Sequence, residues 1–288
     1  MFNMAVSDMP QQLLYASAVL WLVSATQGTT ENTCVRETFN PVCGANEVVV
    51  MRSAVFGRME LGDCIRNNFG HIGCQADALQ LLDSLCSGRA SCSLVISMDD
   101  EQLLDINKCP GELTGYLKSA HDCIQVEQAA GAYCHSAMRL SQSSGVIASH
   151  VTDTTRCGSP QAPWTIHVSP GQRVNISIVD FGWRQQTGSN MTIFEDIKCE
   201  DYGFVVERKL GVNKTICGGG KRQQHVYLSA SSKVEITVLP SRQRQHQGFF
   251  LLEYTGRLAI WPVQPLIYTP YHQVRIGKSK IFGRIHSN

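Results

Sequence analysis

The chain has 288 residues, with 25 basic and 24 acidic side chains and a net charge of +1. Charged residues make up 17% of the sequence and hydrophobic residues 43%, which is typical of globular rather than disordered proteins. The near-neutral charge argues against a dedicated nucleic-acid binder, which would carry a strongly basic surface. The twelve cysteines predict six disulfides formed in an oxidising compartment, which argues against a cytosolic enzyme.

The N-terminal segment predicts a secretory signal peptide over residues 1–28. An apolar run of 11 residues at 13–23 has the length of a signal-peptide core and is too short to span a bilayer. Small residues follow it up to Gly28, although the segment before it carries Asp8 and no Lys or Arg. Since no other stretch is long and apolar enough, we expect no membrane span in this chain and a secreted or cell-surface location. A longer gene product with a membrane anchor stays open.

The cysteines divide the remaining chain into two parts. Eight lie between Cys34 and Cys123, and four lie between Cys134 and Cys217. Small residues separate the two groups and predict a linker over 125–133.

The first part is predicted to be α+β. The β-branched run at 47–51 predicts a strand, and residues 93–96 predict another. Apolar residues at a spacing of three to four predict a helix over 75–85.

The motifs between the first eight cysteines follow a defined order. They are the nine-residue spacing of Cys34 and Cys43, Ala-Val-Phe-Gly-Arg at 54–58, Cys-Ser-Gly-Arg-Ala-Ser-Cys at 86–92, Cys-Pro-Gly at 109–111, and Tyr-Leu at 116–117 before Cys123. In this order they resemble the galactose/rhamnose-binding lectin domain of the sea-urchin-egg-lectin type, which also heads latrophilin-type receptors. The resemblance covers residues 34–124 and implies a disulfide-rich, lectin-like α+β fold.

The resemblance also implies a sugar pocket. Its candidate ligand-binding residues are Phe56, Gly57, Arg58, Asn107, Lys108, Gly111 and Tyr116. For Arg58 the alternative is a salt bridge that holds its loop, and for Tyr116 it is a position in the core.

Four positions depart from the hydrogen-bonding groups of the family. Val35 stands where the family has Glu, Val55 where it has Asn, Asn107-Lys108 where it has Asp-Pro, and Gly115 where it has Lys. A site built to pair sugar hydroxyls loses affinity steeply when its partners are lost. Two functions therefore stay open. One is binding of a galactoside or rhamnose-like glycan, or of a cell-surface glycoprotein. The other is protein–protein adhesion or a receptor-accessory role, with a receptor ectodomain as partner and an inactive pocket.

The second part, residues 134–256, is predicted to be an all-β sandwich. Apolar and polar residues alternate at 164–168, 174–178 and 234–238, and Gly, Ser and Pro separate these runs. Gly-Val-Ile-Ala-Ser at 145–149, Cys157 before Trp164, and Cys-Glu-Asp-Tyr at 199–202 resemble a CUB domain in this order.

The two resemblances together imply a complete set of disulfide pairs, which spacing alone could not choose. The pairs are Cys34–Cys64, Cys43–Cys123, Cys74–Cys109, Cys86–Cys92, Cys134–Cys157 and Cys199–Cys217.

Calcium-binding CUB domains need several acidic ligands. Here Thr155 and Arg156 precede Cys157 in place of a Glu, and Arg242 replaces a third acid, although Asp201 remains. We therefore expect no metal site and no cofactor. Asn175, Asn190 and Asn213 each begin an N-glycosylation sequon.

No catalytic motif stands out in the sequence. It contains no Gly-x-Ser-x-Gly, no His-Glu-x-x-His and no complete phosphate-binding Gly-x-x-x-x-Gly-Lys-Ser/Thr. We expect a non-enzymatic protein. Residues 257–288 hold five basic and no acidic side chains and predict a poorly ordered tail, with an added strand as the alternative.

Overall fold

The computed structural model describes residues 29–97, 103, 109, 115–129, 131–184, 199–244 and 248–258. The predicted signal peptide, and the predicted tail beyond residue 258, lie outside the described residues. Within the described part, no helix is long and apolar enough to cross a membrane. The chain is mostly β-sheet and rich in disulfides.

The first domain is built on a four-stranded antiparallel sheet with one helix packed on it. Helix α1 (Leu79–Cys86) lies on the longest strand, β3, and a separate two-stranded sheet pairs β2 with β5. The sheet has the order β1-β6-β3-β4. The strands are β1 (Thr29–Cys34), β2 (Thr38–Phe39), β3 (Glu47–Arg58), β4 (Cys74–Asp77), β5 (Leu94–Val95) and β6 (Tyr116–Gln125).

Strand β3 is covered on both faces. Val49 and Met51 point into the core of the first domain, beneath α1. Val48 and Val50 point the other way and pack with the core of the second domain. The unbroken apolar run at 48–51 is explained by this double burial, because a strand with one solvent-exposed face would alternate apolar and polar residues.

The helix begins later than its apolar spacing predicts. Residues 74–77 form β4, which pairs with β3 from Val55 to Arg58. The Asp77 carboxylate accepts a hydrogen bond from the Leu79 amide at 2.8 Å, which satisfies a backbone donor at the start of α1. Residues 75–77 therefore form a strand and not the first turn of the predicted helix, because they pair with the edge of the sheet.

The second domain is a sandwich of two sheets. One sheet has the order β13-β10-β15-β8 and the other β12-β11-β14-β9-β7, with only β7 and β9 parallel among the described pairs. Trp164, Tyr202 and Phe250 are fully buried between them. The strands are β7 (Met138–Leu140), β8 (Ser144–Ala148), β9 (Trp164–His167), β10 (Gln172–Asp180), β11 (Glu200–Glu207), β12 (Val212–Gly218), β13 (Gln223–Leu228), β14 (Lys233–Val238) and β15 (Phe250–Leu258).

The second domain is not purely β as predicted. A short helix, α2 (Ser149–Thr155), follows β8, and 3-10 turns occur at Arg208–Leu210 and Ser241–Gln243. The sequence of α2 is rich in Ser and Thr and has no strong helical periodicity. Two of its threonines bond back to the helix backbone, as Thr155 does to the Val151 carbonyl at 2.6 Å.

The connection between the domains differs from the loose linker predicted over 125–133. Gln125 ends β6, and Val126 is buried and bonds through its amide to the Asn46 carbonyl at 2.9 Å. The Glu127 amide then donates to the carbonyl of Val146 in β8 at 2.7 Å. The first residues of the connection are thus packed structure, because their backbone groups are bonded to both domains.

A buried charge joins the two domains. Asp83 of α1 is completely buried and accepts two hydrogen bonds from the Arg222 guanidinium, at 2.6 and 3.0 Å. The Trp183 indole N–H donates to the same carboxylate at 3.1 Å, and the Ser87 hydroxyl donates at 2.7 Å. Arg222 also donates to the Met51 carbonyl of β3 at 2.5 Å. One carboxylate of the first domain therefore holds two side chains of the second.

Aromatic contacts extend this interface. The Arg89 guanidinium lies 4.8 Å above the ring of Phe249. A side chain at Gly88 would meet Phe249 and Phe181, so the absence of a Cβ lets the turn after α1 approach the second domain.

Candidate recognition site

The end of β3 carries three of the candidate ligand-binding residues. Phe56 is buried in the core of the first domain and offers nothing to a ligand. Gly57 faces β4, where an added Cβ would lie 2.4 Å from the Cys74 carbonyl oxygen. The glycine is therefore required for sheet packing, and neither residue lines a described pocket.

Arg58 holds the loop that follows β3. It is buried, and its Nη2 donates to the carbonyls of Asn67 at 2.9 Å and Phe69 at 3.1 Å. Its guanidinium also lies 5.2 Å from the centroid of the Phe69 ring. Of the two readings of Arg58, these contacts favour the one in which it holds the loop, with backbone carbonyls in place of a carboxylate.

Tyr116 is the candidate residue that reaches a cavity. It begins β6, pairs with Cys34 and Gly57 on its two sides, and is 2% exposed. No side chain among the described residues bonds to its hydroxyl, which lies close to the Glu60 backbone. Burial raises the pKa of the Tyr116 hydroxyl, and the nearby charge of Glu60 raises it further. The hydroxyl is thus a neutral hydrogen-bond donor, and the residue lies in the wall of a cavity.

The cavity at Tyr116 is a polar pocket of about 250 Å³. Three carboxylates line it, and two of them are held by hydrogen bonds. Glu37 accepts a hydrogen bond from the Cys34 amide at 2.8 Å, and Glu60 pairs with Lys118 at 3.0 Å. The remaining lining comes from Asn32, Cys34, Leu61, Gly62, Asp63 and Cys64. This set supplies hydrogen-bond acceptors from the carboxylates and the Asn32 carbonyl, and donors from Tyr116 and the Asn32 amide.

The pocket overlaps the predicted site only in part. Asn107, Lys108 and Gly111 lie outside the described residues. Val35 packs against the core, and Gly115 lies close to the Gly57 backbone. The motif comparison did not place Glu37 or Glu60 in the site. The only signal for Glu60 is its position four residues before Cys64, whose disulfide to Cys34 brings the two segments together.

All twelve cysteines form disulfides in the structure. The six pairs are the same as those that the two resemblances imply: Cys34–Cys64, Cys43–Cys123, Cys74–Cys109, Cys86–Cys92, Cys134–Cys157 and Cys199–Cys217. No thiol is therefore left as a nucleophile or metal ligand.

Two of the three sequons lie among the described residues. Asn175 is on the central strand β10, half-buried, with its amide oxygen 3.1 Å from His225 Nε2. Asn213 is exposed on β12, the edge strand of the five-stranded sheet. Asn190 lies outside the described residues.

The residues weighed as calcium ligands do not form a cluster. Asp201 is exposed on β11, whereas Arg242 is exposed in the 3-10 turn Ser241–Gln243. Among the described residues, no group of three or more His, Cys, Asp or Glu side chains is placed to hold a metal ion.

The glycine-rich segment at 218–220 has a structural role. Gly218 packs against the Tyr202 ring, where a Cβ would lie 2.0 Å from Cζ. The Gly219 amide donates to the buried carboxylate of Asp180 at 2.7 Å, and Tyr202 donates to the same group at 3.2 Å. Burial raises the pKa of Asp180, although these hydrogen bonds oppose the shift. The segment closes a turn over a buried acid.

No protein-family model matches the sequence, and no curated protein matches it. Among solved structures, the chain is similar to the CUB1-EGF-CUB2 domains of human MASP-1/3, with 12% sequence identity and a TM-score of 0.25 over 80% of this chain and 93% of that chain. It is also similar to the CUB1-EGF-CUB2 domains of rat MASP-1, with 10% identity and a TM-score of 0.23 over 76% and 97%. At these TM-scores the likeness does not define the fold of this chain.

Proposed function

We propose that this chain is a non-enzymatic extracellular recognition protein that binds a saccharide, free or on a glycoprotein, in the pocket at Tyr116. The carrying observation is that the buried Tyr116 hydroxyl and the Glu37 and Glu60 carboxylates border one polar cavity. Ligand hydroxyls would satisfy this donor and the nearby carboxylates together. Hydrogen bonds to ionised carboxylates are stronger than those between neutral groups.

The size and lining of the pocket support a small polar ligand. At about 250 Å³ it is smaller than the cavities that hold drug-sized molecules, and it suits a single sugar ring. Glu37 is already oriented by the Cys34 amide, and Glu60 by Lys118. Such orientation lowers the entropic cost of binding.

The proposed setting is secreted, or on the outer face of the plasma membrane. Six disulfides support an oxidising compartment. The two-sheet sandwich with bridges Cys134–Cys157 and Cys199–Cys217 supports a CUB-like second domain. The exposed sequon at Asn213 supports glycosylation of this domain, and the half-buried Asn175 is a second candidate.

A second candidate function is protein recognition by the same end of the first domain. Leu61 lines the pocket and is 49% exposed, and Phe69 in the same loop is 61% exposed. Exposed apolar side chains beside a polar pocket are typical of protein interfaces.

Calorimetric titration of the oxidised, glycosylated protein with L-rhamnose and D-galactose tests the proposal. We expect millimolar or tighter binding, weakened at least tenfold by Tyr116→Phe and by Glu37→Gln. Glu253→Gln, in the second domain, is the matched control and should bind as the parent does. If the folded parent gives no heat with either sugar, the saccharide proposal is wrong and the protein-recognition function takes its place.

A further inference from the structure

A second and larger cleft lies in the second domain. Its volume is about 630 Å³, and it opens between α2 and the 3-10 turn Ser241–Gln243. Tyr133, Arg156 and Gln161 line one side of it, and Arg242 and Gln243 line the other. None of these residues belongs to the pocket at Tyr116, so the two cavities are separate.

The cleft carries net positive charge. Within the part of the chain that the structure describes, the guanidinium groups of Arg156 and Arg242 have no hydrogen-bond or ion-pair partner. The acid in the lining is Asp153, and its carboxylate lies 3.6 Å from the buried guanidinium of Arg244. Because Arg244 offsets Asp153, the two exposed guanidinium groups determine the charge that a ligand meets.

The walls of the cleft are fixed in place. Asp153 accepts a hydrogen bond from the Ser241 amide at 2.7 Å, which ties the 3-10 turn to α2. The Cys134–Cys157 disulfide and a 2.9 Å bond from the Cys134 amide to the Thr155 carbonyl hold the segment of Tyr133 against the end of the helix. A preformed site of this kind loses little entropy when it binds a ligand.

The backbone conformation at Arg156 favours glycine over arginine. The residue ends α2 with φ of +63°, in the left-handed region where glycine is the preferred helix-terminating residue. An arginine there is strained relative to glycine. Arg156 lines the cleft, so ligand binding explains an arginine at a position where the backbone favours glycine.

We propose that this cleft binds an acidic saccharide, one that carries sulfate or carboxylate groups. Guanidinium groups pair with both anions through two parallel hydrogen bonds. Tyr133 is 59% exposed and provides an aromatic face at the rim, against which a sugar ring can stack. Ser159, Gln161, Ser241 and Gln243 supply hydroxyl and amide groups for ring hydroxyls.

The lining fits a saccharide better than an acidic peptide. Many peptides bind by extending a sheet edge or by burying apolar anchors, whereas acidic motifs also bind to Arg clusters. This cleft is lined by a helix, turns and a 3-10 turn, and none of its lining residues belongs to a strand. Its apolar lining is limited to Pro160, Pro240 and the Tyr133 ring.

The test measures binding of the full chain to fluorescent heparin tetrasaccharide and to fluorescent oligogalacturonate, by anisotropy at about 0.15 M salt. The first probe carries sulfate and carboxylate groups and the second carries carboxylates alone, so the pair distinguishes the two anions. We expect binding of at least one probe, weakened at least tenfold in Arg156→Gly/Arg242→Ala. Tyr133→Ala should weaken binding more than Tyr133→Phe does.

The variants separate loss of the site from loss of the fold. Since glycine relieves the strained backbone, Arg156→Gly alone should raise the thermal unfolding midpoint while it weakens binding. The matched control is Arg139→Ala/Arg257→Ala, which removes two exposed arginines located on β7 and β15, outside the cleft. It should bind both probes as the parent does, which also excludes a purely electrostatic effect.

Three outcomes would overturn the proposal. The first is that neither probe binds the folded parent. The second is equal binding by the parent and Arg156→Gly/Arg242→Ala, which would place the probe elsewhere, such as on basic residues beyond 258. The third is tighter binding of an oligoglutamate peptide of the same charge, which would assign the cleft to acidic peptides.

Discussion

Glu207 shows how a buried acid is stabilised in this protein. The residue ends β11, is 2% exposed, and accepts four hydrogen bonds. Tyr227 donates its hydroxyl at 2.6 Å, the Ala230 amide donates at 2.9 Å, and Ser231 donates its amide at 2.9 Å and its hydroxyl at 2.5 Å. The carboxylate thereby fastens the turn after β13 to the opposite sheet.

The environment of Glu207 favours its charged form. Burial by itself raises the pKa of the carboxyl, but the hydrogen bonds from Ser231, Tyr227 and Ala230 together outweigh it, and the pKa of Glu207 lies below its ordinary value. The hydrogen bond between Tyr227 and Glu207 shifts the pKa of Tyr227 upwards. Burial, then the bond to Glu207, raise the pKa of Tyr227 to about 12.

A lowered folded-state pKa makes stability depend on pH. The contribution of Glu207 is fully present above the ordinary pKa of 4.5 and is lost as the pH falls through the lower folded-state value. We expect Glu207→Gln to lower the free energy of unfolding by about 2 kcal/mol at pH 7. The difference from the parent should shrink below pH 4.5, because the glutamine resembles the protonated acid.

Urea unfolding of both proteins between pH 3 and pH 7 measures this difference. The exposed Glu31→Gln is the control and should show no pH-dependent difference from the parent. A Glu207→Gln deficit that stays constant across this range would contradict the assignment.

At the scale of single elements, the loop at 59–73 depends on one side chain. Arg58 is the last residue of β3, and its contacts with Asn67 and Phe69 reach across this loop. The Cys34–Cys64 bridge anchors the same loop to β1. Since Glu60 and Leu61 lie in this segment, its conformation determines the shape of the pocket at Tyr116.

We expect Arg58→Ala to destabilise the protein by about 1.5–3 kcal/mol, because it removes hydrogen bonds from a charged donor and leaves two carbonyls unpaired. Hydrogen exchange should show faster exchange of the amides at 59–73. Arg66→Ala, an exposed position in the same loop, is the control and should change both quantities little. Retained stability together with loss of sugar binding alone would instead make Arg58 a ligand contact.

Strands with one buried face could be predicted from the sequence, because their residues alternate between apolar and polar. The runs at 164–168, 174–178 and 234–238 alternate, and strands β9, β10 and β14 occupy these places because each has one face in the sandwich core. Residues 75–77 were predicted helical, yet they pair with β3, a contact that local periodicity does not encode.

The candidate site was less predictable than the strands. Phe56 and Gly57 were inferred from a motif, but their backbone lies inside a sheet, where the side-chain direction depends on pairing with β4 and β6. Glu37 and Glu60 meet at Tyr116 through the Cys34–Cys64 bridge, which spans 30 residues. Their proximity depends on the disulfide and cannot be read from the spacing of residues along the sequence.

At the scale of the whole molecule, the two domains behave as one packed unit. Val48 of the first domain and Val126 of the connection belong to the hydrophobic core of the second domain. Asp83 and Arg222, 139 residues apart, add a buried ion pair to this shared core. No sequence pattern indicated this pair, because both residues are ordinary surface types in their own elements.

We expect the parent to unfold in a single calorimetric transition, because the shared core and the ion pair couple the domains. Arg222→Ala should cost about 3–5 kcal/mol, since it leaves the Asp83 carboxylate buried without its cation. It should also separate the transition into two.

Arg208→Ala breaks an exposed pair with Glu235 and serves as the control for this prediction. It should cost about 0–1 kcal/mol and keep the single transition. Two transitions in the parent itself would show that the domains unfold independently.

The sharing of β3 has a consequence for biosynthesis. During translation the N-terminal domain leaves the ribosome first, and domains generally fold as they emerge. Until the second domain follows, Val48, Val50 and Val126 are uncovered and Asp83 lacks its arginine. A nascent chain of this length presents the apolar surface that chaperones bind. Truncation of the gene near residue 130 should therefore yield a product that is retained and degraded rather than secreted.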